Sequence, residues 1–329
     1  MQLIPVNKIS ITLLMDNVTD MLLPNSPHAH RQPLGKDGKF LPSPIAEHGF
    51  SALIETEVVN NNDAEKSGSV QRNTYLFDAG TSENGIIFNS DLFGIDLQNI
   101  DAIVLSHGHF DHFTGLQSVA KRISRPINLY AHPDAFLKRW DIFPDGTKLI
   151  NPILDQAALE QHGIIVQKNE GPKGLPEREK DNGPYLVVSG QIPRETSYEK
   201  GFPPQYAEVE GKGLVHDPLI KDDQALVANV EGKGLVIISG CGHAGIINTV
   251  NYAKKIGGTE KIHAVLGGFH LSGALYEDAI EPTIRALQED ADPDYVVPCH
   301  CTGWKAINTI IQRMPQKFIQ PSVGTKFVF

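Results

Sequence analysis

Residues 106–112 read Ser-His-Gly-His-Phe-Asp-His, and they follow directly on the apolar run Asp101-Ala-Ile-Val-Leu-Ser106. The run predicts a short buried strand, and the seven residues after it place three imidazoles and a carboxylate at its C-terminal end. With ligand residues at i, i+2, i+4 and i+5, an extended start turns His107 and His109 to one side. A turn into a following helix then brings Asp111 and His112 back beside them. Gly108 and Gly115 relieve the crowding of so tight a wrap. Burying four ionisable groups without a counter-ion costs up to several kcal/mol for each unpaired group, so the stretch predicts a metal site able to serve two adjacent cations.

Polar residues recur at predicted strand ends elsewhere: Asp78 in LFDAG, His243 in SGCGHAG, His270 in GGFH and His300 in PCHCTG. Imidazole and carboxylate are the ligands that Zn, Fe or Mn accept. His243 and His300 are therefore expected as ligands, and His270 as a ligand or as a residue that contacts a ligand or substrate. His132, His162, His216 and His263 stand singly and are expected to be structural or solvated, as are His28 and His30 in a Pro-rich loop. Cys241, Cys299 and Cys301 are too few for a disulfide framework. Cys241, two residues before His243, either packs beneath the site or ligates, with packing the preferred reading. Cys299 and Cys301 flank His300 at alternate positions, so a continued strand would turn both away from its side.

The chain around these residues reads as mixed α/β. KISITLLMDN, FSALIETEVV, QRNTYLFDAG and NIDAIVLSHG predict strands. HFTGLQSVAKRIS predicts a helix with Leu116, Val119 and Ala120 inward, INLYAH a strand and PDAFLKRW a short helix. DQALVANVEGKGLVIISG predicts a hairpin turning at Glu231–Gly234. Strand then alternates with helix to the end: HAGIINTVNYAKKIG, KIHAVLGG, EDAIEPTIRALQED, DYVVPCH and GWKAINTIIQRM. No composition shift divides residues 1–329, which read as one domain with irregular insertions at 25–48, 141–184 and 195–223. The last of these is a candidate rim or lid over a cleft.

At 329 residues, 40% hydrophobic and 21% charged, the chain can bury a large core. A formal charge of −10 without a long basic run argues against a nucleic-acid partner. No apolar segment approaches the roughly 20 residues of a membrane span, and the first residues lack the pattern of an export signal, so a cytoplasmic location is expected. Composition leaves the oligomeric state open.

SHGHFDH matches the H-x-H-x-D-H signature of the metallo-β-lactamase superfamily, and LFDAG and a late strand ending in histidine extend the resemblance. EHGFSALIE, SGQIPR, DDQAL, SGCGHAGIIN, GGFHL and PCHCTG are similar to the branch named for 7,8-dihydropterin-6-methyl-4-(β-D-ribofuranosyl)aminobenzene-5'-phosphate synthase. The resemblance implies an αββα sandwich, two mixed sheets face to face with helices outside, and a dinuclear site at one edge. It implies that His107 and His109 hold a first metal, and that Asp111, His112 and His300 hold a second. Two departures stand out. Gln191 in SGQIPR and Cys241 in SGCGH occupy the places where a first-metal histidine and a bridging aspartate are common. His243 is accordingly expected at the first metal, with water or Asp111 as the bridge.

Paired cations acidify a water held between them and stabilise the charge that develops when the resulting hydroxide attacks phosphorus or carbonyl carbon. A metal-dependent hydrolase of a small phosphorylated or ester metabolite follows, with one or two Zn, or Mn or Fe, as cofactor. In this reading Asp111, Asp78 and His270 are the candidate catalytic residues. Asp78 either orients His107 or His109 or merely shapes a turn. Arg194 and Lys305 are candidate counter-charges for an anionic substrate. Two other readings stay open: a synthase-type transferase acting on a dihydropterin and an arylamine phosphate, and a non-catalytic metal-containing binding or sensor protein. Redox use of iron finds no appended flavin-binding region in the chain.

Overall fold

The computed structural model describes residues 2–60, 69–177 and 183–329. Its two large sheets contain the predicted strands together with four that were not expected, Ala29–His30, Ile164–Lys168, Lys173–Leu175 and Lys326–Val328. The first runs in the order Ile164–Lys168, Ile127–Ala131, Ala102–Val104, Ser69–Phe77, Ser51–Asn60, Lys8–Met15, Lys326–Val328, Ala29–His30. The second runs Lys173–Leu175, Leu186–Val188, Ala225–Val230, Gly234–Ser239, Ile262–Gly268, Tyr295–Cys299. Each sheet carries a parallel block, 69–77 beside 102–104, 127–131 and 164–168 in one, and 234–239 beside 262–268 and 295–299 in the other.

Ala102–Val104, Gly234–Ser239 and Ile262–Gly268 are buried on both faces, which is why they read as continuous apolar runs rather than as alternating ones. Along Gly234–Ser239, Val236 and Ile238 meet the opposite sheet, packing in one core with Ile11, Leu13, Phe77 and Val104, whereas Leu235 and Ile237 meet helices. Ile246, Val250, Ile284 and Ile310 complete that outer layer. Leu116, Val119 and Ile123 of the helix Leu116–Ile123 cover the outside of the first sheet with Leu76, Ile103 and Leu129. The layers are therefore αββα, as the resemblance implies.

The three irregular insertions differ from expectation. Residues 25–48 contain Ala29–His30, which pairs with Lys326–Val328, and a small hairpin of Gly35–Lys36 with Lys39–Phe40. The other two insertions join one another. Lys148–Ile150, Arg139–Ile142, Gln205–Val209 and Gly213–His216 form a four-stranded antiparallel sheet. Its central partners lie about sixty residues apart in sequence, so neither half carries a local signal of the pairing. Residues 178–182 of the second insertion lie outside the described residues. The short helix expected over PDAFLKRW ends after one 3-10 turn, Pro133–Phe136, because Arg139 and Trp140 enter the small sheet.

Candidate metal centre

The parallel blocks end at one edge of the sandwich, and the polar strand ends converge there. After Ala102–Val104 the chain turns at Ser106 and runs through His107 and His109 into a single helical turn, Phe110–Phe113, that carries Asp111 and His112. The wrap requires glycine at 108, since a Cβ there would lie 2.1 Å from the Ala135 carbonyl oxygen. Three non-glycine residues at these strand ends adopt left-handed backbone, Asp78 (φ 60°), His270 (φ 46°) and His300 (φ 47°). Such conformations cost of order 1 kcal/mol or more and concentrate at functional sites.

Three groups of ligand atoms result, each with its members within 4.8 Å of one another: Asp111, His112, Cys241 and His300; His107, Cys241 and His243; and Cys241, His270 and Cys301. His300 Nε2 lies 3.3 Å from Asp111 Oδ2, and Cys241 Sγ lies 3.3 Å from His112 Nε2. His109 closes against His107, with Nδ1 3.0 Å from its partner's Nε2. Cys241 thus sits where the two principal groups meet. Its sulfur lies among the ligand atoms and borders the cavity, rather than packing beneath the site as preferred from sequence.

The rings of His107, His109, His112 and His300 each have a partner that sets their orientation. Asp78 Oδ2 is 2.7 Å from His112 Nδ1, and the carboxylate also accepts from the Ser106 amide and hydroxyl at 2.6 and 2.7 Å. Asp78 therefore acts on His112, not on His107 or His109 as expected; the Ser106 hydroxyl, 2.9 Å from His107 Nδ1, is what reaches His107. Gln205 of the small sheet lies 3.1 Å from His109 Nε2, and Asn17 Oδ1 lies 2.9 Å from His300 Nδ1. The Gly108 amide donates to Asp222 at 2.7 Å, and Asp222 is itself buried against Arg139.

These residues fit a cation. Both nitrogens of His243 are buried without a hydrogen-bond partner, and an unmet lone pair there costs about 1–3 kcal/mol unless a cation accepts it. Burial, reinforced by neighbouring imidazoles, pushes His107 and His243 well below the usual histidine range, leaving them in the neutral form that ligates. Burial would also lower His112, but Asp111 and Asp78 outweigh it and hold the ring at about 9. Burial would raise Asp111, yet His112 and His300 outweigh it and keep the carboxyl well below its ordinary value. The carboxylates thus call for positive charge here.

A cavity of about 150 Å³ opens onto the centre, walled in part by His48, Asp141, Asn151 and Phe202. A larger hollow of about 630 Å³ lies on the small sheet by Lys138, Trp140 and Leu214 and touches none of the ligand residues.

Some expected residues are elsewhere. Arg194 spends its guanidinium on the backbone carbonyls of His243, Leu219 and Ile220, and Lys305 is exposed and paired with Glu277 at 2.8 Å, so neither faces the cavity. Gln191 is exposed. His132 caps the Pro133 turn, and His263 pairs with Asp294 at 2.7 Å. His28 stacks on Phe329. Cys301 does not follow the alternation expected of it, because the strand ends at Cys299 and the 3-10 turn His300–Thr302 brings its sulfur to 3.3 Å from that of Cys241. Sequence reasoning missed His48, whose Nε2 is 3.6 Å from Asp111 Oδ2, although EHGF immediately before a strand repeats the pattern of a polar group at a strand terminus. It also missed Asn17, Gln205 and Arg139, which carry no local signal, and gave no role to Asp222, which opens the DDQAL string.

Comparison with known proteins agrees with this architecture. The sequence profile of the Metallo-beta-lactamase superfamily matches residues 70–254. The chain is 33% identical to the 7,8-dihydropterin-6-methyl-4-(beta-D-ribofuranosyl)-aminobenzene-5'-phosphate synthase of Methanocaldococcus jannaschii, over 85% of this chain and 89% of that one. It is 34% identical to an uncharacterized protein of the same organism, over 85% and 93% of the two chains. A crystal structure of a protein named as a metal-dependent hydrolase of the beta-lactamase superfamily superposes with a TM-score of 0.69 at 23% identity, covering 97% of this chain and 98% of that one. The chain belongs to the metallo-β-lactamase superfamily.

Proposed function

We propose that the protein is a metal-dependent hydrolase of a small, anionic phosphorylated or ester metabolite, with zinc, in one or two ions, as its cofactor. The observation that carries this reading is the size and lining of the cavity. Its volume of about 150 Å³ is well under the roughly 300–1,000 Å³ of pockets that enclose drug-sized ligands, and its floor is His109, Asp111, His243 and His300. It accommodates one phosphoryl or ester group better than a fused heterocycle beside an aryl ribose phosphate. When bound, the metals would activate water and offset the charge developing on the substrate.

The chain's own residues do the rest. His107, His109, Cys241 and His243 would hold one cation, and Asp111, His112, Cys241 and His300 the other. Asp78 and Ser106 fix the ring of His112 and Asn17 that of His300, so both point their remaining nitrogen inward. Phe202, in the loop that leads into the small sheet, packs beside His109 and walls one side of the cavity, and Gln205 of the sheet fixes His109. His48, largely exposed, lies between solvent and Asp111 and is a route for protons to leave.

A second reading has one observation in its favour. The relative at 33% identity bears the name of a synthase, and formation of 7,8-dihydropterin-6-methyl-4-(β-D-ribofuranosyl)aminobenzene 5'-phosphate would require the cavity to widen between the small sheet and residues 195–204. One assay separates the two. Zinc-loaded protein is tested on phosphomonoesters, phosphodiesters and carboxylic esters, and in parallel on the two synthase substrates. Turnover on the first panel that disappears in His109→Ala supports hydrolysis. Product from the synthase pair, with no turnover on any ester, overturns it in favour of transfer.

A further inference from the structure

The proposed hydrolytic centre gives no task to Cys301 or to the free nitrogen of His270. Both are unusually placed. Cys301 Sγ lies 3.3 Å from Cys241 Sγ, and both thiols are buried. His270 sits in left-handed backbone, which turns its ring toward the two sulfurs. Its Nε2 is held 2.8 Å from the Tyr276 hydroxyl, while its Nδ1 is buried without a hydrogen-bond partner. A histidine anchored at one ring nitrogen and orphaned at the other is the arrangement a metal-ligating imidazole adopts. The cavity reaches Cys241, His270 and Cys301, so an ion has access and a fourth coordination position stays open.

We propose that Cys241, His270 and Cys301 form an additional metal site, beside the His/Asp groups, that takes a thiophilic divalent cation such as zinc. Two sulfurs and one imidazole nitrogen are the donor set that such ions prefer over harder cations. Distances decide between this and a disulfide. Two sulfurs on one tetrahedral zinc, each at about 2.3 Å, stand about 3.8 Å apart, so the observed pair needs to open by only about half an ångström. A disulfide at about 2.05 Å requires the sulfurs to close by more than twice that. On binding, both thiols lose their protons to solvent and no electron moves. Cys241 is common to all three groups, so its thiolate couples this site to its neighbour. Cys301 and His270 belong to this site alone and therefore carry the test.

The metal-free, reduced protein is titrated with cadmium, and the thiolate-to-cadmium absorption and the bound equivalents by native mass spectrometry are followed together. Wild type should bind one equivalent more than Cys301→Ser or His270→Asn, and Cys301→Ser should lose about half of the thiolate absorption, having lost one of two sulfurs. Both variants should keep the equivalents held by the His/Asp groups, which His109→Ala instead diminishes; this separates failure of the proposal from failure of the hydrolytic reading. Equal stoichiometry and equal absorption in wild type and either variant overturn the proposal. So does recovery of Cys241 and Cys301 as a disulfide in metal-saturated protein purified without reductant. Circular dichroism verifies that each variant is folded, and His270→Asn decides the matter should Cys301→Ser not be.

Discussion

Replacing Asp222 by Asn tests how the small sheet secures the ligand loop. Asp222 is wholly buried; Arg139 Nη1 donates to its Oδ2 at 2.9 Å, a second guanidinium nitrogen bonds its Oδ1, and the Gly108 amide donates to Oδ2 at 2.7 Å. Asparagine with its oxygen in the place of Oδ2 keeps the acceptor for Gly108 and for Arg139 Nη1, but it turns an amide NH2 against the second guanidinium nitrogen and leaves the buried charge with only the Asp217 carboxylate, at 3.4 Å. Breaking a buried pair in this way costs about 3–5 kcal/mol. A second route gives a smaller figure. Burial would raise the Asp222 carboxyl, but Arg139 outweighs it and holds the group at about 2, against an ordinary 3.8. That difference is worth about 2 kcal/mol by linkage. The linkage figure is smaller because protonation leaves the carboxyl in place, still hydrogen-bonded. The sign follows from the depressed value: the stabilisation is fully present above pH 4 and is lost as pH falls toward 2. Urea unfolding at pH 7 should therefore show Asp222→Asn less stable by about 3 kcal/mol or more, and the variant's decline between pH 4 and pH 2 should be smaller than the wild type's by about 2 kcal/mol. A loss under about 1 kcal/mol, with the decline unchanged, would refute the reasoning. The paired change Asp222→Leu with Arg139→Met should recover only part of the stability, since the Gly108 amide and Asp217 each lose a partner.

Asp78→Asn should leave the fold intact and lower metal affinity by about 10- to 100-fold, because it loosens the ring of His112 without removing a ligand; competition with a chromophoric chelator measures it. Alanine at His243 or His300 should cost metal affinity far more than alanine at His132 or His263, whose rings cap a turn and pair with Asp294; equal losses across the four would reject the ligand assignment.

The mixed α/β character was legible because covered strands carry apolar runs and because each parallel strand announces its end with a polar residue, whereas the αββα layering came only from the resemblance carried by SHGHFDH. The same rule located Asp78, the quartet, His243, His270 and His300. What it could not give is pairing between distant segments. Arg139–Ile142 and Gln205–Val209 meet only in three dimensions, so two insertions read as loops became a sheet that places Gln205 and Phe202 at the site. Charge pairs follow the same logic: Arg139 with Asp222 looks in sequence like two ordinary surface residues. Arg194 and Lys305 were expected at the cavity on charge alone, and charge does not say where a side chain points. The Cys301 reading failed for a narrower reason, a strand carried two residues past its end at Cys299, where a 3-10 turn redirects the side chain.

The central claim is that the strand-end cluster holds metal, and the direct measurement is elemental analysis of folded protein purified without chelator, alongside His109→Ala/His112→Ala. The account predicts at least one equivalent of transition metal, chiefly zinc, in the wild type, with loss of metal from the double variant while its circular dichroism is retained. A folded wild-type protein with only trace amounts of every transition metal, unable to take up zinc when it is supplied, would contradict it.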